Sequence, residues 1–364
     1  WSETDPIILA HKKSHWGVKL NLSKTLFPAE YKLGIYDHAF KKIVQYEEGN
    51  NRILYGAGNS DSLVVFYLDA SFTKYSWRGM GLNIPVSSLR SEKSWGIGDF
   101  TDLNLLTDWA SQTGIRMLQL LPVNDTTATK TKKDSYPYSA NSPFALHPLY
   151  LNVEKLAAYV GFQFSDEVMK TVAQLNAKPA LDYEGVLELK TSAIKIIYEQ
   201  EKKTFKDDFA WIEFFDMNRH WLVPYAVFCY LRDKNGTADF SKWKDFGNYD
   251  EEAVEAYADI DNAQYDDICL YYFIQFHLHL QLKDAVDYAH KNGIIFKGDV
   301  PIGVGRHSVD SWMYPHLFHM NMQAGAPPDY YSATGQNWSF PTYNWEAMAA
   351  DGYKWWRQRM EHLG

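Results

Sequence analysis

Two hydrophobic patterns divide this chain. Over residues 1–75 the apolar positions come in short runs broken by turns. The runs are 18–22, which alternates, 31–37, 43–46 and 63–68, with Glu48-Gly49-Asn50-Asn51 as a turn. That pattern predicts a small β-sandwich, or the later part of one. From about Arg78 the periods change. Residues 82–86 read as a short strand, and Phe100, Leu103, Leu106, Trp109 and Ala110 fall on one helical face. Asp99 is the expected N-cap of that helix and Gly114 its stop. Residues 115–123 form a near-continuous apolar run, as expected for a strand buried on both faces. Residues 150–262 read as mostly helical. A long helix over 265–292 then ends at Gly293 and leads into an apolar strand over 294–304. Strand, helix, strand, helical excursion, helix, strand predicts an α/β fold with a parallel sheet or barrel. An insertion of this kind usually builds one wall of a site at a barrel's C-terminal face.

Composition narrows the functions available. With 364 residues and 46% hydrophobic content the chain can build two domains, or one large domain with an attachment, and has ample material for a core. The net charge of −9 comes with no basic block, which argues against nucleic acid as a partner. No apolar run is long enough to cross a membrane as a helix. Cys229 and Cys269 lie far apart and read as buried free thiols. The chain starts at Trp1, shows no secretion signal, and is expected to be cytoplasmic and part of a longer protein.

The aromatic share, 16%, concentrates in telling places. Residues 325–345, GAPPDYYSATGQNWSFPTYNW, hold six aromatic rings and three prolines. Proline at 327, 328 and 341 removes backbone donors, so a long irregular segment is expected. Flat rings with hydroxyl or indole tips suit a sugar, whose C–H face lies on a ring while its edge hydroxyls need hydrogen bonds. Plain packing of a proline-pinned loop is the other reading. Asp299 follows the 294–296 strand, where barrel enzymes place chemistry, although an aspartate holding a turn is equally expected there. Tyr138, in the loop YPYSANSPFALHP at 136–148, is the ring expected in a site.

Other chemistries find less support. Gly96-Ile97-Gly98 lacks the third glycine of a dinucleotide loop and is followed by Asp99. His277 and His279 face different sides of their helix, and His316 and His319 have no matching acid or cysteine constellation. Glycoside chemistry needs two carboxylates across the scissile bond. Asp299, Asp310 and Asp329 are candidates, and spacing alone pairs none of them.

Five runs occur in one order: SWGIGDF (94–100), LQLLPVND (118–125), YPYSANSPFALHPLYL (136–151), GDVPIGV (298–304) and the 325–345 segment. Together they resemble the 4-α-glucanotransferases, the amylomaltases or disproportionating enzymes of glycoside hydrolase family 77. The segment 211–231 resembles that family's helical insertion, and the likeness runs from about Arg78 to Gly364. The resemblance implies a partial (β/α)₈ barrel with helical insertions over 76–364. It also implies retaining transfer of an α-1,4-glucan segment to a sugar acceptor, with no cofactor and no metal. The partners implied are maltose, maltodextrin, glycogen or starch. Tyr138 and Asp299 would line the donor subsite, Asp329, Tyr330 and Tyr331 a mobile loop over the cleft, and Trp338 an aromatic wall. No Arg-Ile-Asp-His nucleophile motif occurs, so no catalytic acid is expected within this chain. The nucleophile and the acid/base are expected after Gly364. Residues 31–52 resemble the end of a family 20 starch-binding module. Tyr46, where that module usually has tryptophan, and Asn51 are its candidate contacts. A non-catalytic starch- or glycogen-binding protein and an α-amylase-like hydrolase are the alternatives.

Overall fold

The structure is a computed structural model and describes residues 5–12, 15–56, 65, 68–72 and 79–363. The chain forms two compact units, Trp1–Arg78 and Gly79–Gly364.

In the first unit β1 (Ala10–His11) pairs antiparallel with β2 (Trp16–Gly17), β3 (Ala29–Tyr31) with β6 (Arg52–Leu54), and β4 (Gly34–Asp37) with β5 (Lys42–Tyr46). The run expected at 31–37 is therefore two strands, with Lys32 and Leu33 between them. Lys32 turns away to donate Nζ to the Gly49 carbonyl at 2.6 Å, and the Leu33 amide binds the Glu47 carboxylate at 2.9 Å. Residues 18–22 form no strand despite their alternation, since no neighbouring strand pairs with them among the described residues. Most of the expected 63–68 strand lies outside the described residues. Glu47, 4% exposed, takes a two-pronged contact from Arg52, at 2.9 Å from Nε and 2.7 Å from Nη2. Those charge-assisted bonds hold the Glu47 carboxyl below its usual range.

The second unit is built on a parallel sheet of three strands in the order β10–β8–β7. β7 is Met80–Ile84 and β8 is Ile115–Leu120; β9 (Ser139–Ala140) is a short outlier, and β10 is Ile295–Lys297. α1 (Asp102–Thr113) links β7 to β8. Between β9 and β10 come α2 (Val153–Tyr159), α3 (Asp166–Asn176), α4 (Tyr183–Glu201), α5 (Phe209–Asn235), α6 (Glu251–Tyr257) and α7 (Tyr265–Lys291). α1 and α7 cover one face of the sheet, where Leu118 packs with Ala110, Ala289 and Ile294. The expectation that β8 is buried on both faces fails. Met117 and Gln119 on its second face are half-buried, and Arg116 is exposed.

Two further expectations shift. α1 starts at Asp102 with Thr101 as its first cap, not at Asp99. Asp99 instead bends the preceding turn, accepting the Thr101 amide at 3.0 Å and its hydroxyl at 2.7 Å. The buried stripe of α1 runs through Leu103, Thr107 and Ala110, which leaves Trp109 exposed at its edge. Gly114 does end the helix, in the left-handed region at φ 79°. Cys229 and Cys269 are both buried thiols.

A large aromatic core joins α5 to α7. Trp211, Phe214, Phe228, Phe273 and Phe276 are all at or below 7% exposure. Among the described residues of this second unit, one charged pair is almost wholly buried. Lys190 of α4 and Asp99 are each 1% exposed and 3.8 Å apart. Lys190 donates to the carbonyls of Leu149 and Leu151 at 2.7 and 3.0 Å. Burial pushes the Lys190 pKa down and the Asp99 pKa up, each opposed by the other's charge. Replacing Lys190 by methionine removes the buried countercharge of Asp99 and leaves two buried carbonyls without their donor. It should cost about 3–5 kcal/mol, measured by urea denaturation followed through helical circular dichroism. A loss near zero would mean that the pair is solvated.

Candidate functional site

β8 is followed by Leu121-Pro122-Val123-Asn124-Asp125, and the chain then makes a long excursion before β9. Buried side chains tie that excursion down. Asp125 accepts the Tyr225 hydroxyl from α5 at 2.9 Å, and its backbone oxygen takes the Asn141 amide at 2.6 Å. Gln275 of α7 holds both polar groups of the Leu146 backbone, at 2.8 and 2.7 Å. Asp134 collects the amides of Ala128, Thr129 and Lys130. The loop carrying Tyr138 is thus fixed from below by a strand end and two helices.

β9 pairs in parallel with β11 (Gly303–Val304), matching Ser139 to Gly303 and Ala140 to Val304. This pairing brings together residues 161 apart in sequence. The Tyr138 hydroxyl donates to Asp299 Oδ2 at 2.7 Å, and Asp299 Oδ1 accepts the Val300 amide at 2.9 Å. Both side chains are half-buried. The bond to Asp299, with some burial, pushes the Tyr138 pKa up to about 12, so the phenol stays a proton donor throughout the neutral range. Asp299 keeps acceptor capacity beyond these two bonds, and a carboxylate beside a phenol can grip vicinal hydroxyls.

Beyond β11 come α8 (Val309–Met313) and β12 (Phe318–His319). The aromatic segment is not a wholly irregular loop. β13 (Gly325–Ala326) and β14 (Gln336–Asn337) form a small antiparallel hairpin, followed by β15 (Thr342–Tyr343), which pairs with β12. Gly335 supplies the left-handed turn at φ 74°, and a side chain there would strike the Ala326 carbonyl. At the hairpin tip Asp329 accepts the amides of Tyr331 and Ser332 at 2.9 and 2.7 Å, a self-contained aspartate turn. Tyr330 and Tyr331 are 96% and 92% exposed. The tip rings therefore lie open to solvent and do not meet Asp299.

Trp338 belongs to the base of this hairpin. It is half-buried, with its ring 5.9 Å from Phe340 and its Nε1 donating to Gln336. The Phe340 ring lies over Gly303, so closely that a Cβ at Gly303 would overlap it. Trp338 is thereby connected through Phe340 to the strand that follows Asp299.

The three candidate carboxylates are not brought together as a pair. Asp299 is committed to Tyr138 and Asp329 to its own turn. Asp310, 2% exposed, accepts Trp355 Nε1 at 2.7 Å, and its Oδ2 has no hydrogen-bond partner among the described residues. In the first unit Tyr46 is half-buried at the end of β5, facing Gly34 across the ladder, and Asn51 donates to Glu30 at 3.0 Å. Among the described residues no group of three His, Cys, Asp or Glu could hold a metal ion. Sequence reasoning missed Phe340, Gly303, Asp125 and Asn141 as parts of this arrangement. Of these, only Gly303, the second glycine of GDVPIGV (298–304), carries a sequence signal, since a glycine there allows a close approach.

This is a mixed α/β fold of the TIM-barrel type. It is similar to the amylomaltase from Streptococcus agalactiae in complex with acarbose, with a TM-score of 0.67 and 24% identity. That likeness covers 78% of this chain and 57% of the other. The profile of the 4-alpha-glucanotransferases of glycoside hydrolase family 77 matches residues 84–364, and the chain belongs to that family. The 4-alpha-glucanotransferase DPE2 of Oryza sativa subsp. japonica is 40% identical over 100% of this chain and 38% of its own length. The 4-alpha-glucanotransferase of Chlamydia muridarum (strain MoPn / Nigg) is 30% identical over 78% of this chain and 52% of its own. The chain thus spans between about two fifths and half the length of these relatives.

Asp310 offers a pH test. Burial raises its pKa from 3.8 to about 7, only partly opposed by Trp355 and by the Arg359 charge. Between those values the folded state keeps a proton that the unfolded chain releases, so this group's contribution falls as pH rises from 4 to 7 and is flat above. Buried histidines such as His277, pushed down to about 3, act in the opposite sense but cancel in a difference measurement. Asp310→Asn should therefore gain on the wild type by about 4 kcal/mol between pH 4 and 8. A pH-independent difference in urea denaturation would contradict this.

Proposed function

We propose that this chain supplies the glucan-holding side of a 4-alpha-glucanotransferase. In that reading an α-1,4-glucan segment passes from a donor to a sugar acceptor by retaining transfer through a covalent glycosyl-enzyme. The observation that carries it is the Tyr138–Asp299 pair, a charge-assisted bond built between two half-buried side chains from loops beside distant strands. Asp299 accepts hydroxyls of the donor sugar, Tyr138 orients Asp299, and Trp338 presents an indole face to the ring's C–H side. Holding the sugar rigidly replaces an entropic cost that the reaction would otherwise meet. Family membership supports the substrate class, and the acarbose complex belongs to a protein of the same fold.

Asp329, Tyr330 and Tyr331 fit a hairpin tip that folds onto a bound glucan. Their near-complete exposure leaves the rings available, and the aspartate turn gives the tip a fixed local shape. The first unit is read as part of a family 20 starch-binding module, with Tyr46 as a stacking ring and Asn51 as a polar contact. The Glu47–Arg52 clamp beside them supports a rigid local scaffold. The nucleophile and the acid/base come from sequence outside residues 1–364 in this reading. Asp299, Asp310 and Asp329 all have other engagements, which supports it.

Titration calorimetry with maltotetraose tests the site. Trp338→Ala should weaken binding about tenfold, on the scale of one lost sugar–ring stack, while the melting temperature stays within about 2 °C. A melting point that drops along with affinity would make Trp338 a packing residue. Incubated with maltose and glycogen, residues 1–364 should release no glucose. Release would mean that acids within the chain do the chemistry.

A further inference from the structure

Asp299 is only as well placed as the backbone that follows it, and residues 300–305 are gripped one after another. Asp299 itself takes the Val300 amide at 2.9 Å. The Pro301 carbonyl accepts Arg359 Nη2 at 2.6 Å, and the Ile302 carbonyl accepts the Tyr343 hydroxyl at 2.8 Å. Gly303 and Val304 pair with Ser139 and Ala140, and the Gly305 amide donates to the Ala140 carbonyl at 2.8 Å. Two of these grips come from side chains that lie far along the chain. Tyr343 is on β15, just past the Trp338 hairpin, and Arg359 is on α10 (Lys354–Leu363), which follows α9 (Trp345–Ala350).

Arg359 is an unusual group to spend on one carbonyl. It is 1% exposed, and its guanidinium lies 5.4 Å from the Trp355 ring and 4.9 Å from the Trp356 ring. Its Nη1 has no well-aligned hydrogen bond among the described residues, and the guanidinium lies close to the Tyr343 hydroxyl. Trp355 in turn donates to Asp310, a carboxylate near enough to Arg359 to feel its charge. Burying a guanidinium is costly, and a packed hydrophobic side chain would fill the volume more cheaply. What a hydrophobic side chain could not do is hold the Pro301 carbonyl.

We propose that Arg359 and Tyr343 are positioning residues that set the Tyr138–Asp299 pair by fixing the carbonyls of Pro301 and Ile302. The proposal rests on the reading of that pair as the sugar-binding site. Through them the segment carrying Trp338 and the helix α10 act on the site without touching substrate. Loss of either grip lets residues 299–302 relax, so Asp299 moves off the Tyr138 hydroxyl.

The test uses the whole chain labelled with 13Cζ-tyrosine. The Tyr138 resonance is assigned by its loss in Tyr138→Phe, and Asp299→Asn supplies the reference for a weakened bond at neutral pH. Tyr343→Phe and Arg359→Met should each move the Tyr138 resonance toward that reference while circular dichroism remains native. Arg359→Lys, which can still reach the carbonyl with one donor, should recover much of the original position. Maltotetraose affinity should fall about tenfold in the Tyr343→Phe chain, as for one lost neutral hydrogen bond acting on the site. An unmoved Tyr138 resonance in folded Tyr343→Phe and Arg359→Met chains overturns the proposal. If Arg359→Met does not fold, the single-hydroxyl deletion at Tyr343 decides alone. A resonance that moves while affinity stays constant upholds the positioning role and sinks the sugar-site reading instead.

Discussion

The pairing of Ser139–Ala140 with Gly303–Val304 is the contact on which the rest of the site depends. It is only two residues long, and alone it would be weak. Its strength comes from what holds each partner. The first strand is fixed through Asp125, Asn141 and Tyr225 to the end of β8 and to α5, and the second through Arg359 and Tyr343. Because both sides are tied to packed elements, Tyr138 and Asp299 meet at 2.7 Å without either being fully buried. A site that must admit a ligand needs this arrangement, in which the backbone is rigid and the functional atoms stay reachable.

The helical insertion serves the same end from the other side. Its large aromatic core makes α5 and α7 a stiff wall, and the few polar groups that penetrate the wall are aimed at backbone. Gln275 holds Leu146, Gln281 holds Asn152 at 2.7 and 2.9 Å, and Lys190 holds Leu149 and Leu151. Each is an element of regular structure clamping a loop, since a loop cannot satisfy its own amides and carbonyls once it is buried. The 325–345 segment divides differently. Its base, with Trp338 and Phe340, is anchored on Gly303, while its tip presents Tyr330 and Tyr331 to water. A fixed ring and two free rings on one hairpin suit a surface that is partly preformed and partly completed by its ligand.

Much of this was legible in the sequence. The long helix over 265–291, the Gly114 stop, the parallel strands and the aromatic segment all follow from local period and turn chemistry. Tyr138 and Asp299 stood out as a ring and an acid beyond strand ends, with a turn-holding role equally open for Asp299, whereas Trp338 was singled out only through the family resemblance. The failures are local rules overridden by neighbours. Residues 18–22 alternate yet find no partner strand, and Trp109 keeps the helical period yet sits past the edge of the buried stripe. Asp99 has the chemistry of a helix cap but is engaged by Asn152 and lies beside Lys190, 53 and 91 positions on. Asp310 looked like a candidate acid, and burial under Trp355 made it a structural one.

The sequence by itself determined the kinds of element, their order and the residue types able to meet a sugar, because period, capping and ring chemistry act over a few neighbouring residues. Only the tertiary structure decided which of those residues meet. Tyr138 and Asp299 are 161 positions apart, Asp310 and Trp355 are 45 apart, and Arg359 reaches back 58 positions to Pro301. No local period records such distances. They are set when the strands pair, the helices bury their aromatic faces, and each buried polar group must find a partner in whatever the packing brings near it.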